Sequence, residues 1–186
     1  MTQNQVIAII VVVLAVAAVL LFYLRTQKSK RLRERFGPEY DRAVSEAGSG
    51  RGEARLEKIE KRVRKYDIHP LDAGVRERYL DQWRVVQARF VDDPDGTVGE
   101  ADRLLGEAMA ARGYPMADFE QQAADLSVNH ARVIEHYRAG HAIALRHAQG
   151  QASTEDLRQA LIHYRELFQE LVQEPAHESA ATATRY

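Results

Sequence analysis

The chain of 186 residues contains no cysteine. This absence excludes thiol nucleophiles, disulfide bonds and zinc sites that are held by cysteine. Net charge is nearly absent too, because 26 Lys and Arg residues stand against 27 Asp and Glu residues, for a formal charge of −1. The chain as a whole is therefore not a polycation, and we expect no nucleic-acid partner.

Several signatures of enzymes and of strands are also missing. The sequence has no glycine-rich phosphate loop, no HExxH motif and no nucleophile elbow. No stretch alternates apolar and polar residues between turn signals, as a strand requires. We therefore predict an all-α protein without catalytic activity and without a cofactor. The alternative is an enzyme or ligand-binding domain whose polar site assembles between helices, since distant side chains can converge on folding.

What the chain does have is an unbroken run of nineteen apolar residues, from Val6 to Leu24. At about 1.5 Å per residue the run is about 28 Å long as a helix, close to the bilayer's hydrocarbon thickness of about 30 Å. A single helix can cross a bilayer because it satisfies its own backbone polar groups. We predict a transmembrane helix over residues 6–24, with the lipid bilayer as a partner.

The charges that flank this run predict its orientation. No Lys or Arg precedes it, whereas a basic stretch with Glu34 as its one acidic residue follows it. Positive charge is retained on the cytoplasmic side, so we expect a single-pass protein of the cell (inner) membrane with its N-terminus outside and its domain in the cytoplasm. The basic side chains are also candidate contacts for anionic lipid headgroups. They are Arg25, Lys28, Lys30, Arg31, Arg33 and Arg35.

A cleaved signal peptide, and hence an exported envelope protein, is the alternative interpretation. The segment Ala15-Val16-Ala17 resembles a cleavage motif. A signal peptide, however, has a basic region before an apolar stretch that stops at the cleavage site. Here no basic residue precedes the run, which continues seven residues beyond Ala17. We therefore favour a retained anchor.

Glycine, proline and the apolar periodicity divide the chain beyond the anchor. Gly37-Pro38 is expected to end the first helix at Phe36, a short helix follows over 39–47, and three glycines within residues 48–52 predict a flexible hinge. An irregular bundle of five to six helices is then predicted, with an anchor region over 1–36, the short helix and hinge over 37–52, the bundle over 53–173 and a disordered tail over 174–186. Bundle helices are predicted over about 53–66, 72–91, 94–112, 116–126, 129–148 and 154–172.

Specific residues are expected to start helices or to fill the core. Asp93 is predicted to cap a helix that has Pro94 at its first position, and Ser153 with Asp156 has nearly capping-box spacing. The segment around Asp93 also resembles a calcium loop, but the loop's first ligand position falls on Val91, which has no side-chain oxygen. We therefore interpret it as a helix start. Trp83, at the middle of an apolar stripe, is predicted to be buried.

Four histidines lie on one predicted bundle helix, at steps of six, five and six residues. Two metal ligands on one helical face need a separation of three or four residues, so this spacing does not predict a metal site. A site would need a ligand from another helix, such as His163. We expect no metal. The four residues are His130, His136, His141 and His147.

A thin apolar stripe on a highly charged helix is the candidate surface for a protein partner or for self-association. Its members recur at steps of three, four and three residues. Such a helix covers little core by itself, so the stripe is available for another chain unless it docks on the bundle, which is the alternative. The stripe consists of Leu56, Ile59, Val63 and Tyr66.

Several segments of the sequence carry a resemblance to a known family. They are RERFGPEYDRAV, RFVDDP, EADRLL with RGYP, FEQQAADLS and ASTEDLRQALIHYRELF. Over about Arg33 to Leu171 the chain resembles a family of small uncharacterised bacterial proteins that pair an N-terminal hydrophobic segment with a helical domain. The resemblance implies a bacterial single-pass protein and brings no activity, cofactor or catalytic residue. We thus expect a membrane-anchored cytoplasmic helical module that binds another protein or itself.

Overall fold

The computed structural model describes the backbone of residues 3–173 and the side chains of residues 12–173. The tail that we predict to be disordered, residues 174–186, lies outside the described residues. Within the described part every regular element is an α-helix, which confirms the all-α prediction. The helices are α1 (Gln3–Phe36), α2 (Pro38–Ala47), α3 (Ser49–Val63), α4 (Ala73–Arg89), α5 (Pro94–Ala111), α6 (Phe119–Leu126), α7 (Ile134–Ala148) and α8 (Thr154–Gln173).

Two glycines with positive φ separate the first three helices. Gly37, at φ 51°, ends α1 as predicted, and Gly48, at φ 76°, lies between α2 and α3. Both conformations favour glycine because it has no Cβ. The prediction of a hinge over residues 48–52 is wrong, since α3 begins at Ser49. Gly52 instead serves close packing: a Cβ there would be 2.6 Å from the carbonyl oxygen of Ala43 in α2.

The chain divides into two compact units, Met1–Leu56 and Glu57–Tyr186, so the division falls inside α3. In the first unit, polar contacts connect the three helices. The Oγ of Ser29 in α1 donates a hydrogen bond of 2.6 Å to Oε1 of Glu53 in α3, and the hydroxyl of Tyr40 in α2 donates one of 3.0 Å to the same oxygen. Glu53 is itself buried. Its carboxylate therefore connects α1, α2 and α3.

The second unit is built around α8, which packs against α7, α5 and α4. Trp83 of α4 is 4% exposed and stacks on Phe168 of α8, with ring centroids 4.4 Å apart and planes at 15°. The predicted burial of Trp83 is thereby confirmed. Helices α7 and α8 approach closely at Gly140, where a Cβ would lie 2.7 Å from two ring carbons of the buried Tyr164.

In the second unit, side-chain caps determine where α5 and α8 begin. Oδ1 of Asp93 accepts a hydrogen bond of 2.9 Å from the backbone N–H of Gly96, which confirms the cap before α5. At the start of α8, the N–H of Ser153 donates to Asp156 at 2.9 Å and the N–H of Asp156 donates to Ser153 Oγ at 3.2 Å. This reciprocal pair is the predicted capping box, formed with Asp in the place of Glu.

In the second unit, two helices begin three or more residues after their predicted starts. Helix α6 begins at Phe119, three residues after the predicted start, because Asp118 accepts a hydrogen bond of 2.9 Å from the N–H of Gln121 and caps the helix there. Helix α7 begins at Ile134, five residues after the predicted start. Between α6 and α7 the chain forms turns that bury His130.

Candidate functional site

Helix α1 carries a long apolar surface that the described chain does not cover. Its large apolar side chains from Val12 to Leu24 are 54–71% exposed. Over Val12–Phe36 the helix is long and apolar enough to cross a membrane. Among the described residues it is the one helix with these properties. The structure thus contains one candidate membrane-spanning helix near the N-terminus, and the start of the predicted run, Val6 to Val11, lies outside the described side chains.

The six basic residues predicted to contact lipid headgroups all lie on α1 after Leu24. Five are exposed and Lys28 is half-buried. Part of this stretch has partners within the chain: the guanidinium of Arg33 lies 3.1 Å from Asp41 and 5.0 Å from the ring centroid of Tyr40. An exposed ion pair of this kind contributes little to stability, about 0–1 kcal/mol. Arg33 therefore helps to join α1 to α2 in addition to any contact with lipid.

The apolar stripe predicted as a partner surface is not open in this structure. Leu56 is 0% exposed, Ile59 5% and Val63 4%, while Tyr66 is half-buried. The prediction of an exposed surface is corrected by this burial. The physical reason is that the charged residues of α3 leave only one narrow apolar face, and this face is already covered within the chain. The burial matches the alternative interpretation, in which this helix is docked on the rest of the chain.

The polar group of Tyr66 belongs to a buried network that the sequence did not reveal. The side chain of Asp125 in α6 is 3% exposed and accepts hydrogen bonds from Arg62 Nε at 3.0 Å, Arg62 Nη2 at 2.5 Å and the Tyr66 hydroxyl at 2.9 Å. Burial lowers the pKa of Arg62, but the hydrogen bonds to Asp125, the negative charge of Asp125 and the contact with Tyr66 together outweigh it, so that the pKa is raised. Burial and Asp125 both raise the pKa of Tyr66. The network fastens the end of α3 to α6.

Two histidines that are far apart in the sequence meet between α7 and α8. Nδ1 of His136 lies 3.0 Å from Nδ1 of His163, with ring centroids 5.3 Å apart. One ring must donate a proton and the other accept it, so a hydrogen bond requires at least one neutral imidazole. Burial, and then the proximity of His136, lower the pKa of His163, which favours its neutral form.

A second polar cluster surrounds Tyr137 of α7 and Tyr164 of α8. Burial, followed by the carboxylate of Asp102, raises the pKa of both phenols far above the usual value. Both therefore remain protonated at neutral pH, and the hydroxyl of Tyr137 donates a hydrogen bond of 3.2 Å to Gln122 Oε1. Nearby, His141 stacks on a phenylalanine ring with centroids 3.6 Å apart, and burial lowers its pKa. These groups stabilise the packing and include no activated nucleophile.

A groove with an apolar edge lies between α4 and α5 on the surface of the second unit. The groove has a volume of about 260 Å³. On its edge Val85 is 56% exposed, next to the buried Val86. Charged residues of both signs surround this apolar strip. The groove is lined by Asp81, Gln82, Val85, Val86, Glu100, Arg103 and Leu104.

Within the described residues, no three His, Cys, Asp or Glu side chains are grouped so that they could hold a metal ion together. The four histidines that we placed on one predicted helix have different surroundings: for example, Nδ1 of the buried His130 lies 3.7 Å from Glu170, and Nε2 of His147 lies 3.8 Å from Asp95. Comparisons with protein families, with curated proteins and with solved structures find no match for this chain. The resemblance to a bacterial family therefore stays a prediction.

Proposed function

We propose that the chain is a single-pass membrane protein whose helical domain lies in the cytoplasm and binds another protein or itself, without catalysis. The observation that carries this proposal is the exposed apolar surface of α1 from Val12 to Leu24. In water, such a surface would be a strong liability for aggregation, whereas in a bilayer it is the surface that lipid requires. The basic residues that follow Leu24 supply the orientation.

The arrangement of the second unit supports binding in preference to catalysis. Its interior is a continuous apolar core, and its buried phenols are held in their protonated form by burial. Several of its polar contacts join helices to one another, as Asp125 does for α3 and α6. An apolar strip at Val85 remains exposed beside the α4–α5 groove. These features are typical of a module that acts through its surface.

The topology is tested by fusing a phosphatase or a fluorescent reporter after Tyr186 and by protease digestion of spheroplasts. We expect fluorescence, no phosphatase activity and protection of the domain from protease. Phosphatase activity outside the membrane would contradict the orientation. Release of a shortened soluble protein would contradict the retained anchor.

The binding role is tested by chemical crosslinking of the full-length protein in native membranes. We expect a specific crosslinked product, either a homodimer or a complex with a second protein. Val85→Lys, which alters the strip beside the groove, should reduce this product. Val91→Lys is the matched control, because Val91 is 84% exposed and does not line the groove. No crosslinked product, or equal loss with both variants, would contradict the binding role of this surface.

A second candidate function is a domain that binds a ligand through a polar site between helices. The His136–His163 pair favours it, because two imidazoles from different helices meet at 3.0 Å. If His136→Asn or His163→Asn abolished the cellular phenotype while the helical content and the melting temperature were unchanged, this second function would replace the first. His147→Asn, on the same helix but away from the pair, is the control.

A further inference from the structure

We infer that the turn between α2 and α3 is a second contact with the membrane, where it lies among anionic lipid headgroups beside the anchor helix. The inference rests on the proposed function, because it takes α1 as the transmembrane helix, with the hydrocarbon layer ending near Leu24. It concerns only the first compact unit, Met1–Leu56. It assigns to the bilayer a segment, Ala47–Arg51, that lies outside the basic stretch of α1.

Two contacts give the direction of the α2–α3 hairpin relative to α1. Helix α1 leads away from its apolar run, and α2 returns alongside it, so that Asp41 of α2 pairs with Arg33 of α1 at 3.1 Å. Helix α3 then reverses again, with Gly52 against the backbone of Ala43. The hairpin therefore directs its turn, at Gly48, toward the apolar run of α1.

Two independent contacts give the position of this turn along the axis of α1, measured as a height from Leu24. On α1, Arg33 lies nine residues past Leu24, which is about 13.5 Å at a rise of about 1.5 Å per residue. Helix α2 then runs back toward the level of Leu24 over the seven residues from Asp41 to Gly48, which is about 10.5 Å. This path places Gly48 about 3 Å beyond the level of Leu24. The second contact joins α3 to α1.

The hydrogen bond between Ser29 and Glu53 gives a similar height. Ser29 lies five residues past Leu24 on α1, and Glu53 lies five residues past Gly48 on α3, so both lie about 7.5 Å along their helices. Their side chains are 2.6 Å apart, which places Gly48 about level with Leu24. The headgroup layer on each side of the hydrocarbon is about 5–7 Å thick. Both paths therefore put the turn at the inner boundary of the headgroups.

The composition of the turn suits this position. Its residues 47–50 are Ala, Gly, Ser and Gly, and nothing lies within 4 Å of a Cβ built at Gly48 or at Gly50. Arg51, which follows, is exposed. Glu46, the acidic residue nearest the turn in the sequence, is paired with Arg42 at 3.0 Å and with Arg55 at 3.1 Å. The turn thus brings a cation and no uncompensated negative charge to the membrane surface.

The same heights separate the basic residues of α1 into two groups. Arg25 and Lys28 lie about 1.5 and 6 Å past Leu24, within the headgroup layer, whereas Arg35 lies about 16.5 Å past it. Attraction to an anionic leaflet falls off within about 8–10 Å of the surface. We therefore assign the strongest contact with phosphate groups to Arg25 and Lys28 together with Arg51 of α3.

The chain has no cysteine, so that single cysteines can be introduced into the full-length protein without removing any native one. A spin label is attached at Gly50→Cys, and its collisions with oxygen and with a water-soluble nickel complex are measured in phosphatidylcholine vesicles that contain phosphatidylglycerol. Val19→Cys is the control for the hydrocarbon layer. Glu34→Cys, about 15 Å past Leu24 on the same helix, is the control for bulk water.

We expect the Gly50 label to lie at the headgroup depth, between the two controls. If it is as accessible to nickel as the Glu34 label while the Val19 label lies in hydrocarbon, the inference is overturned and the anchor stands. If the Val19 label is itself accessible to nickel, the proposed function and the inference fall together.

The role of Arg51 is tested in the same labelled protein by omitting phosphatidylglycerol. We expect the anionic lipid to lower the nickel accessibility of the Gly50 label about twofold and Arg51→Gln to abolish this difference. Lys58→Gln, about 10 Å further along α3, should preserve it. If Arg51→Gln leaves the lipid dependence unchanged, or if Lys58→Gln removes it equally, the assignment of Arg51 is wrong.

Discussion

The close approach of α7 and α8 at Gly140 leads to a prediction with an internal reference. Replacing a glycine in the middle of a helix with alanine stabilises the folded state by about 0.5–1 kcal/mol, because alanine loses less backbone entropy on folding. At Gly106 in α5 nothing lies within 4 Å of the new Cβ. We therefore expect Gly106→Ala to increase the free energy of unfolding by this amount.

At Gly140 the same gain is opposed by overpacking. The new Cβ would lie 2.7 Å from two ring carbons of Tyr164, well inside van der Waals contact, and Tyr164 is fully buried and cannot move toward solvent. Inserting a methyl group into a filled core costs about 1–3 kcal/mol. Since the gain in helix propensity is common to both sites, Gly140→Ala should be less stable than Gly106→Ala by about 1–3 kcal/mol.

Urea unfolding of the full-length protein in detergent micelles measures both variants. Trp83, the one tryptophan of the chain, lies in the same unit as both glycines and stacks on α8, so its fluorescence reports the unfolding of this unit. Far-ultraviolet circular dichroism checks that helical content is unchanged at zero urea. Equal stability of the two variants would refute the close packing of α7 on Tyr164.

Three further predictions concern the core, the stripe on α3 and pH. Trp83→Ala should lower the free energy of unfolding by about 3–5 kcal/mol, and the fluorescence of the parent protein should be that of an indole out of water. Ile59→Glu with Val63→Glu should lower the melting temperature, since both side chains are buried; a loss of binding at unchanged melting temperature would restore the stripe as a partner surface. Because the pKa of His163 is lowered on folding, the unfolded chain binds more protons than the folded chain, so stability should fall as pH drops below about 6.5. His163→Asn should reduce this fall, and His141, whose pKa is also lowered, contributes in the same direction.

Local signals were sufficient to predict most of the helices. The caps at Asp93 and Ser153 each satisfy backbone N–H groups within the next few residues, so that the sequence near them determines the helix start. The burial of Trp83 followed from an apolar stripe of helical period. The glycines of residues 48–52 led to the wrong prediction of a hinge. Gly52 is needed because the backbone of Ala43 in another helix lies close to it, and the sequence around Gly52 does not show this contact.

Which polar residues pair with one another was not predictable for the same reason. Arg62 and Asp125 are separated by 63 residues, and His136 and His163 by 27. Each residue alone has the appearance of an ordinary surface side chain, and only the packing of two helices makes it a partner. The sequence left both interpretations of the apolar stripe on α3 open, because periodicity identifies an apolar face and does not say whether this chain or another one covers it.

The length of α1 has a mechanical consequence. The helix continues without glycine or proline from its apolar run to Phe36, twelve residues past Leu24 and about 18 Å. A single-pass helix responds to a thinner or thicker bilayer by tilting, and a change of about 20° would move its far end sideways by about 6 Å. Glu53 holds both α2 and α3 against this part of α1, so the three helices would tilt together as one rigid body. A change in bilayer thickness would then displace α2 and α3 sideways on the far side of the headgroups.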